Sequence, residues 1–156
     1  MIRGRNVAIL ATQPAHIAAM RDRLRDEDRR ECESAGLRAG KALWRSYRGS
    51  ALVRTAFVDG EIAAMWGVGG CPLGGTGQPW LLTTPVVERA PVAFIREGRQ
   101  EVAEMLTVFP ILVGFVDASY HRAVRLLGVL GFEVDNPLPF GANGALFRRY
   151  HIERLA

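Results

Sequence analysis

Apolar and polar positions along the chain change period several times, and each change marks an element. Ile111 to Val116 is continuously apolar, then Tyr120, Ala123, Val124, Leu127 and Leu130 recur at helical spacing until Gly131. Phe132 to Val134 returns to β-branched and aromatic residues. The pattern predicts a buried strand, an amphipathic helix and a return strand, so the core is α+β or α/β and not a helical bundle. Upstream, Leu52 to Val58 and Glu61 to Val68 read as strands joined by Asp59-Gly60. That pair adopts the left-handed conformations of a tight hairpin turn at little cost. Alternation puts Leu52, Arg54, Ala56 and Val58 on one face of the hairpin and Val53, Thr55 and Phe57 on the other.

The remaining segments extend this pattern. Asn6 to Ala11 reads as a short strand, and Pro14 opens a helix with Ile17, Met20 and Leu24 on one stripe. The mixed charges from Arg21 to Gly36 predict a solvated helix face with pairs such as Asp26 and Arg30, stopped by Gly36. Ala39 to Tyr47, with Leu43, Trp44 and Tyr47, forms another short helix. The glycine-rich Gly67 to Gly77 leads into an extended piece, Trp80 to Thr84, instead of opening a helix. It carries neither GxGxxG nor a terminal Gly-Lys-Ser/Thr, so it reads as a connection between neighbouring strands and not a phosphate cradle.

Thr84-Pro85 has the form of a cap and first helical residue, with a second start at Pro91. Val92, Ile95, Val102, Met105, Leu106 and Phe109 then follow helical spacing up to Pro110, at a cost of up to about 1 kcal/mol for Gly98. Asp135 to Gly144 is turn-rich, with Pro137, Pro139 and Gly141 unsuited to a continuous strand. Ala145 to Ile152 is the last strand. The order is a strand, three helices, a hairpin, a strand, a helix, a strand, a helix and two strands, expected to form one domain over residues 1–156.

Composition narrows the function classes. The chain of 156 residues, 49% apolar, is long enough to bury a core without staples. No apolar run approaches the roughly 18 to 20 residues of a membrane span, and Met1 to Ala11 lacks the form of a secretory leader, so a cytoplasmic protein is expected. Cys32 and Cys71 show no CxxC or Cys/His spacing, and three scattered histidines make no metal site. The net charge of +4 suits an anionic partner. Lys41 is the sole lysine and the arginines are spread along the chain, so nucleic acid stays open as a partner but is not favoured.

The order of elements, the Asp59-Gly60 hairpin, the strand Trp80-Leu81-Leu82-Thr83-Thr84 and the segment His121 to Asp135, with Ala123 and Leu130-Gly131-Phe132, resemble the GCN5-related N-acetyltransferase (GNAT) superfamily. More narrowly, the chain resembles small acetyltransferase-like proteins of tailed bacteriophages, among them those described as internal virion protein A. The resemblance implies an α+β fold, with a mixed, mostly antiparallel twisted sheet flanked by helices. It also implies an acetyl-coenzyme A site, which would draw on Val68, Leu82, Thr83, Thr84 and Arg89.

Two departures accompany it. The superfamily's Arg/Gln-x-x-Gly-x-Gly/Ala segment corresponds to Thr83 to Gly98, where Arg89 is followed by Ala90, Pro91, Val92 and Ala93. Pro91 also removes an N–H that an anion would use. The tyrosine that serves as proton donor in many active members is replaced by Leu127, which cannot donate. Glu61, Tyr120 and His121 remain as catalytic candidates, with Asp117 or Ser119 expected to cap the last helix.

Two functions follow as expectations. The first is a catalytically degenerate acetyltransferase-like phage protein with no cofactor. It would act in virion structure or assembly through other phage proteins or self-association, using Trp44, Trp80 or arginine-bearing faces. It would reside in the host cytoplasm during assembly and then in the virion. The second is a cytoplasmic N-acetyltransferase moving an acetyl group from acetyl-coenzyme A to an amine.

Overall fold

Asp59 and Gly60 both hold positive φ, 50° and 81°, and reverse the chain between β2 (Ser50–Val58) and β3 (Glu61–Gly69). The hairpin is the centre of the computed structural model, which describes residues 6–26, 28–30, 38–140 and 144–155. β1 (Val7–Ala11) pairs antiparallel with the outer edge of β2, and β4 (Thr76–Thr83) pairs antiparallel with β3. β5 (Ile111–Asp117) runs parallel to β4, and β8 (Leu146–Glu153) lies antiparallel to β5. The two-residue strands β6 (Glu133–Val134) and β7 (Leu138–Pro139) both pair with β8. The sheet order is β1-β2-β3-β4-β5-β8-β6, a mixed, antiparallel-dominated α+β arrangement.

Helices cover both faces, and the alternation of β2 decides which side chains meet them. α1 (Pro14–Arg21) and α2 (Ala39–Gly49) pack Ile17, Met20 and Leu43 against Ile62 and Met65, with Val53 and Phe57 alongside. α3 (Pro91–Val108) lies on the opposite face, where Val102 and Met105 meet Ala56, Ala64 and Trp66. α4 (His121–Val129) joins α3 there, with Ala123, Val124 and Leu127 only partly buried. Arg54 confirms the predicted face, since its Nη2 donates to Glu104 Oε1 of α3 at 2.8 Å. No helix among the described residues is long and apolar enough to cross a membrane.

Several local expectations are corrected. α1 stops at Arg21, and the charged stretch after it is not uniformly solvated, because Asp28 is 3% exposed and bonded to the sheet. Cys32 and the predicted stop at Gly36 lie outside the described residues. Thr84-Pro85 opens a 3-10 turn, Pro85–Arg89, with Thr84 Oγ1 accepting the Val86 N–H at 3.2 Å. The long helix begins at Pro91. Neither Asp117 nor Ser119 caps α4. Tyr120 stands at the cap position and its side chain does not cap the helix, while Asp117 Oδ1 accepts from the Ser119 amide and hydroxyl at 2.8 and 2.7 Å. Pro139, expected in a loop, pairs with Leu146 in β7, an arrangement that a strand of two residues tolerates.

Candidate functional site

β4 and β5 are paired at only two positions, Thr76 with Ile111 and Gly77 with Leu112. Beyond them each strand keeps its other neighbour, β3 for β4 and β8 for β5. The strands therefore part into a cleft that opens toward their C-terminal ends.

The backbone of β4 determines what that cleft offers. Successive residues of a strand direct their N–H and C=O groups to opposite edges. Thr84 N–H reaches Ala63 O of β3 at 2.9 Å, so by alternation Pro79, Leu81 and Thr83 face the cleft. Pro79 has no N–H, and its carbonyl accepts the Tyr150 hydroxyl at 3.0 Å. Thr83 donates its N–H to Asp28 Oδ2 at 3.0 Å and its hydroxyl to the same oxygen at 2.8 Å. Its carbonyl accepts the Arg25 N–H at 3.0 Å. Among the described residues, Leu81 is the one position in this row that presents both an N–H and a C=O to the cleft.

Tyr150 reaches Pro79 from β8 by lying over its β5 partner Gly114. A Cβ on Gly114 would stand 2.3 Å from the Tyr150 hydroxyl, so only glycine admits this crossing.

A cavity of about 790 Å³ fills the cleft and continues beneath α3. Leu82, Thr83 and Tyr120 line it, and so does Leu127, the residue at the place of the superfamily's proton donor. At the end where the strands part, Glu88 accepts from Arg25 Nη1 at 2.8 Å and from Arg122 Nη1, linking the 3-10 turn after β4 to the start of α4. The Arg25 hydrogen bond first, then that of Arg122, holds the Glu88 carboxyl below its ordinary value.

The other predicted site residues stand apart from the cavity. Val68 is wholly buried against Gly77 and Phe109, without lining the cavity. Thr84 is also wholly buried, donating its hydroxyl to Ile62 O at 2.7 Å. Glu61 and Arg89 form an ion pair outside the cavity. His121 is exposed in the first turn of α4. Trp80 is half-buried, its indole donating to Ser50 Oγ at 2.8 Å, whereas Trp44 is 42% exposed. Among the described residues no cluster of His, Cys, Asp and Glu is placed to hold a metal.

These residues do not fit acetyl-coenzyme A in the manner the superfamily resemblance implies. Two of the three cleft-facing positions of β4 already have their carbonyls or amides engaged, α3 begins with a proline, and the Glu88 carboxylate stands where the strands open. The residues that make this difference, Arg25, Asp28, Glu88, Arg122 and Tyr150, were not singled out from the sequence. One signal for Asp28 was present: it continues the stripe of Ile17, Met20 and Leu24 at helical spacing, an acid where an apolar residue would fit.

No protein-family model matches the chain, and no curated protein matches it. Solved structures do. The ribosomal-protein-S18-alanine N-acetyltransferase from Escherichia coli superposes with a TM-score of 0.68 at 15% identity, over 97% of this chain and 96% of that one. The aminoglycoside acetyltransferase AAC(6')-Ib in complex with coenzyme A gives 0.65 at 14%, over 96% and 95%. An acetyltransferase of the GNAT family from Streptococcus pneumoniae gives 0.64 at 14%, over 95% and 99%. The chain has the GNAT acetyltransferase fold.

Proposed function

We propose that this protein is a catalytically degenerate member of the acetyltransferase-like group, one that acts by binding and not by acetyl transfer. The observation that carries this reading is the cleft-facing edge of β4. Acyl transfer needs donors aimed at the developing oxyanion and an acid for the departing thiolate. Here Thr83 gives its amide to Asp28 and Pro79 has none, which leaves Leu81 as the single cleft-facing amide of the three, and Leu127 occupies the position of the superfamily's acid. The setting proposed is the assembly or interior of a tailed-phage particle, with other phage proteins or a second copy as partner. That setting rests on the sequence resemblance alone, and the exposed Trp44 supplies one surface suited to such contacts.

A second reading is favoured by one observation, Tyr120 in the cavity lining. In it Tyr120 protonates the thiolate and the protein is an N-acetyltransferase, with acetyl-coenzyme A held along Leu82 and Thr83.

Calorimetric titration with acetyl-coenzyme A, paired with an assay of thiol release in the presence of a panel of primary amines, separates the two. The degenerate reading expects neither saturable micromolar binding nor release above the uncatalysed rate. Both together, with release abolished by Tyr120→Phe, establish the second reading. Peptide mass analysis of purified virions and assembly intermediates tests the setting, and consistent absence from both removes it.

A further inference from the structure

β1 ends the sheet, and it carries none of the devices that guard such an edge. Natural edge strands are blunted by lysine, proline, a bulge or an inward-pointing charge. Val7–Ala11 reads Val-Ala-Ile-Leu-Ala and pairs with β2 in unbroken register, from Val7 with Val58 to Ala11 with Arg54. Hydrogen bonds at its two ends give the phase. The Thr12 N–H reaches Val53 O at 3.2 Å, and Asn6 O accepts the Asp59 N–H at 2.8 Å. By alternation Asn6, Ala8, Leu10 and Thr12 turn their backbone groups to β2, while Val7, Ile9 and Ala11 turn theirs outward.

The side chains along this edge are apolar. Val7 and Ile9 lie on the α3 face, half-buried at the border of the core. Ala8 and Leu10 lie on the opposite face, and Leu10 is 48% exposed. Arg96 and Glu97 of α3 flank Val7 and Ile9, with Arg96 Nε 3.5 Å from Glu97 Oε1, so the flank carries both signs. Asn6 to Gln13 contains no charged residue, and the net charge of +4 resides elsewhere on the chain.

We propose that β1 is the docking edge for a second copy of this chain, the two β1 strands pairing antiparallel about a two-fold axis at Ile9 to make one continuous sheet. In this register Ile9 meets Ile9 of the second copy, and Val7 meets Ala11 of the second copy, as hydrogen-bonded pairs. It engages Val7, Ile9 and Ala11 together, whereas a shift either way strands one of them. The same register sets Leu10 opposite Ala8 of the second copy, a large side chain over a small one on both sides of the axis. The flank of mixed sign meets itself without net repulsion. Because the contact is isologous it consumes both edges and stops at two copies. A strand pair of this length makes a small interface, so the association is weak. The pairing rests on the edge of β1 and stands whether or not the protein transfers acetyl groups.

The test combines sedimentation equilibrium of the full chain with amide hydrogen exchange at low and high protein concentration. A monomer–dimer equilibrium is expected, and with rising concentration the Val7, Ile9 and Ala11 amides should slow together. The Ala8 and Leu10 amides, already bonded to β2, should exchange equally slowly at both concentrations. Ala11→Pro removes an outward N–H without breaking a bond to β2, and is expected to weaken dimerisation about tenfold or more at unchanged thermal midpoint of the monomer. Leu10→Lys supplies the missing edge charge and is expected to weaken it severalfold. A chain that stays monomeric up to about 1 mM overturns the proposal. So does a dimer in which the Val7, Ile9 and Ala11 amides exchange as fast as in the monomer, and neither result relies on a variant.

Discussion

The Tyr150 hydroxyl donates to the Pro79 carbonyl at 3.0 Å, joining β8 to β4 across the intervening β5. The bond closes the narrow end of the cleft and engages a carbonyl that a strand-like ligand would otherwise meet. Tyr150 is 7% exposed, so its removal leaves a buried acceptor. Tyr150→Phe is expected to lower stability by about 1–1.5 kcal/mol, read as a shift in the urea midpoint at unchanged slope.

Gly114 tests the same crossing from the opposite side. Gly114→Ala places a methyl 2.3 Å from the Tyr150 ring and hydroxyl, and such overpacking costs about 1–3 kcal/mol. In a Tyr150→Val background the clash disappears, so the alanine should cost much less. Additive losses in the double-mutant cycle would refute the contact.

Asp28 holds both the amide and the hydroxyl of Thr83 from outside the sheet. Hydrogen bonds to a charged group contribute more than neutral ones, and both partners are buried. Asp28→Asn is expected to destabilise by roughly 1.5–3 kcal/mol and to raise the hydrogen-exchange rate at the Thr83 amide above that at Ala64. An unchanged Thr83 amide would rule out Asp28 as its protector.

Glu88 titrates below the ordinary carboxylate range because Arg25, and then Arg122, stabilises its charged form. NMR titration of its side-chain carboxyl carbon should show it ionised at a pH where exposed glutamates are half-protonated. Arg25→Ala is expected to raise its midpoint more than Arg122→Ala does. The reverse order would mean that the α4 arginine is the principal partner.

Partial burial holds the His16 imidazole below its ordinary value, and its Nδ1 accepts the Gln13 N–H at 3.1 Å. A lowered folded-state value means that the unfolded chain takes the proton first. The stability from neutral His16 is therefore complete above the ordinary histidine value, about 6.5, and is lost as pH falls below it toward the folded value. Thermal midpoints measured from pH 7.5 to 5 should fall more steeply for the unaltered protein than for His16→Asn, whose amide oxygen accepts without titrating.

Much of the fold was legible because it rests on local periodicity. The Asp59-Gly60 turn needs two residues tolerant of positive φ, and the alternation of β2 separates Arg54 from Val53 and Phe57 whatever the rest of the chain does. The strand, helix and strand from Ile111 to Val134 show the same independence, since changes of period survive without knowledge of neighbours.

The site was less legible, since its contacts join residues far apart in the chain. Tyr150 and Pro79 are separated by 71 positions, and Thr83 and Asp28 by 55. In one dimension Asp28 belongs to a charged run and Tyr150 to a strand, and neither pattern specifies a partner. Gly98, which reads as a defect in α3, lines the cavity and faces Leu130, the residue that ends α4. By itself, then, the sequence determined most of the elements, their order and the faces of the hairpin, all consequences of local geometry. The tertiary structure decided which backbone groups of β4 are engaged and where the arginines meet Glu88. Those features depend on how the strands part and what packs across the gap, which no local period encodes.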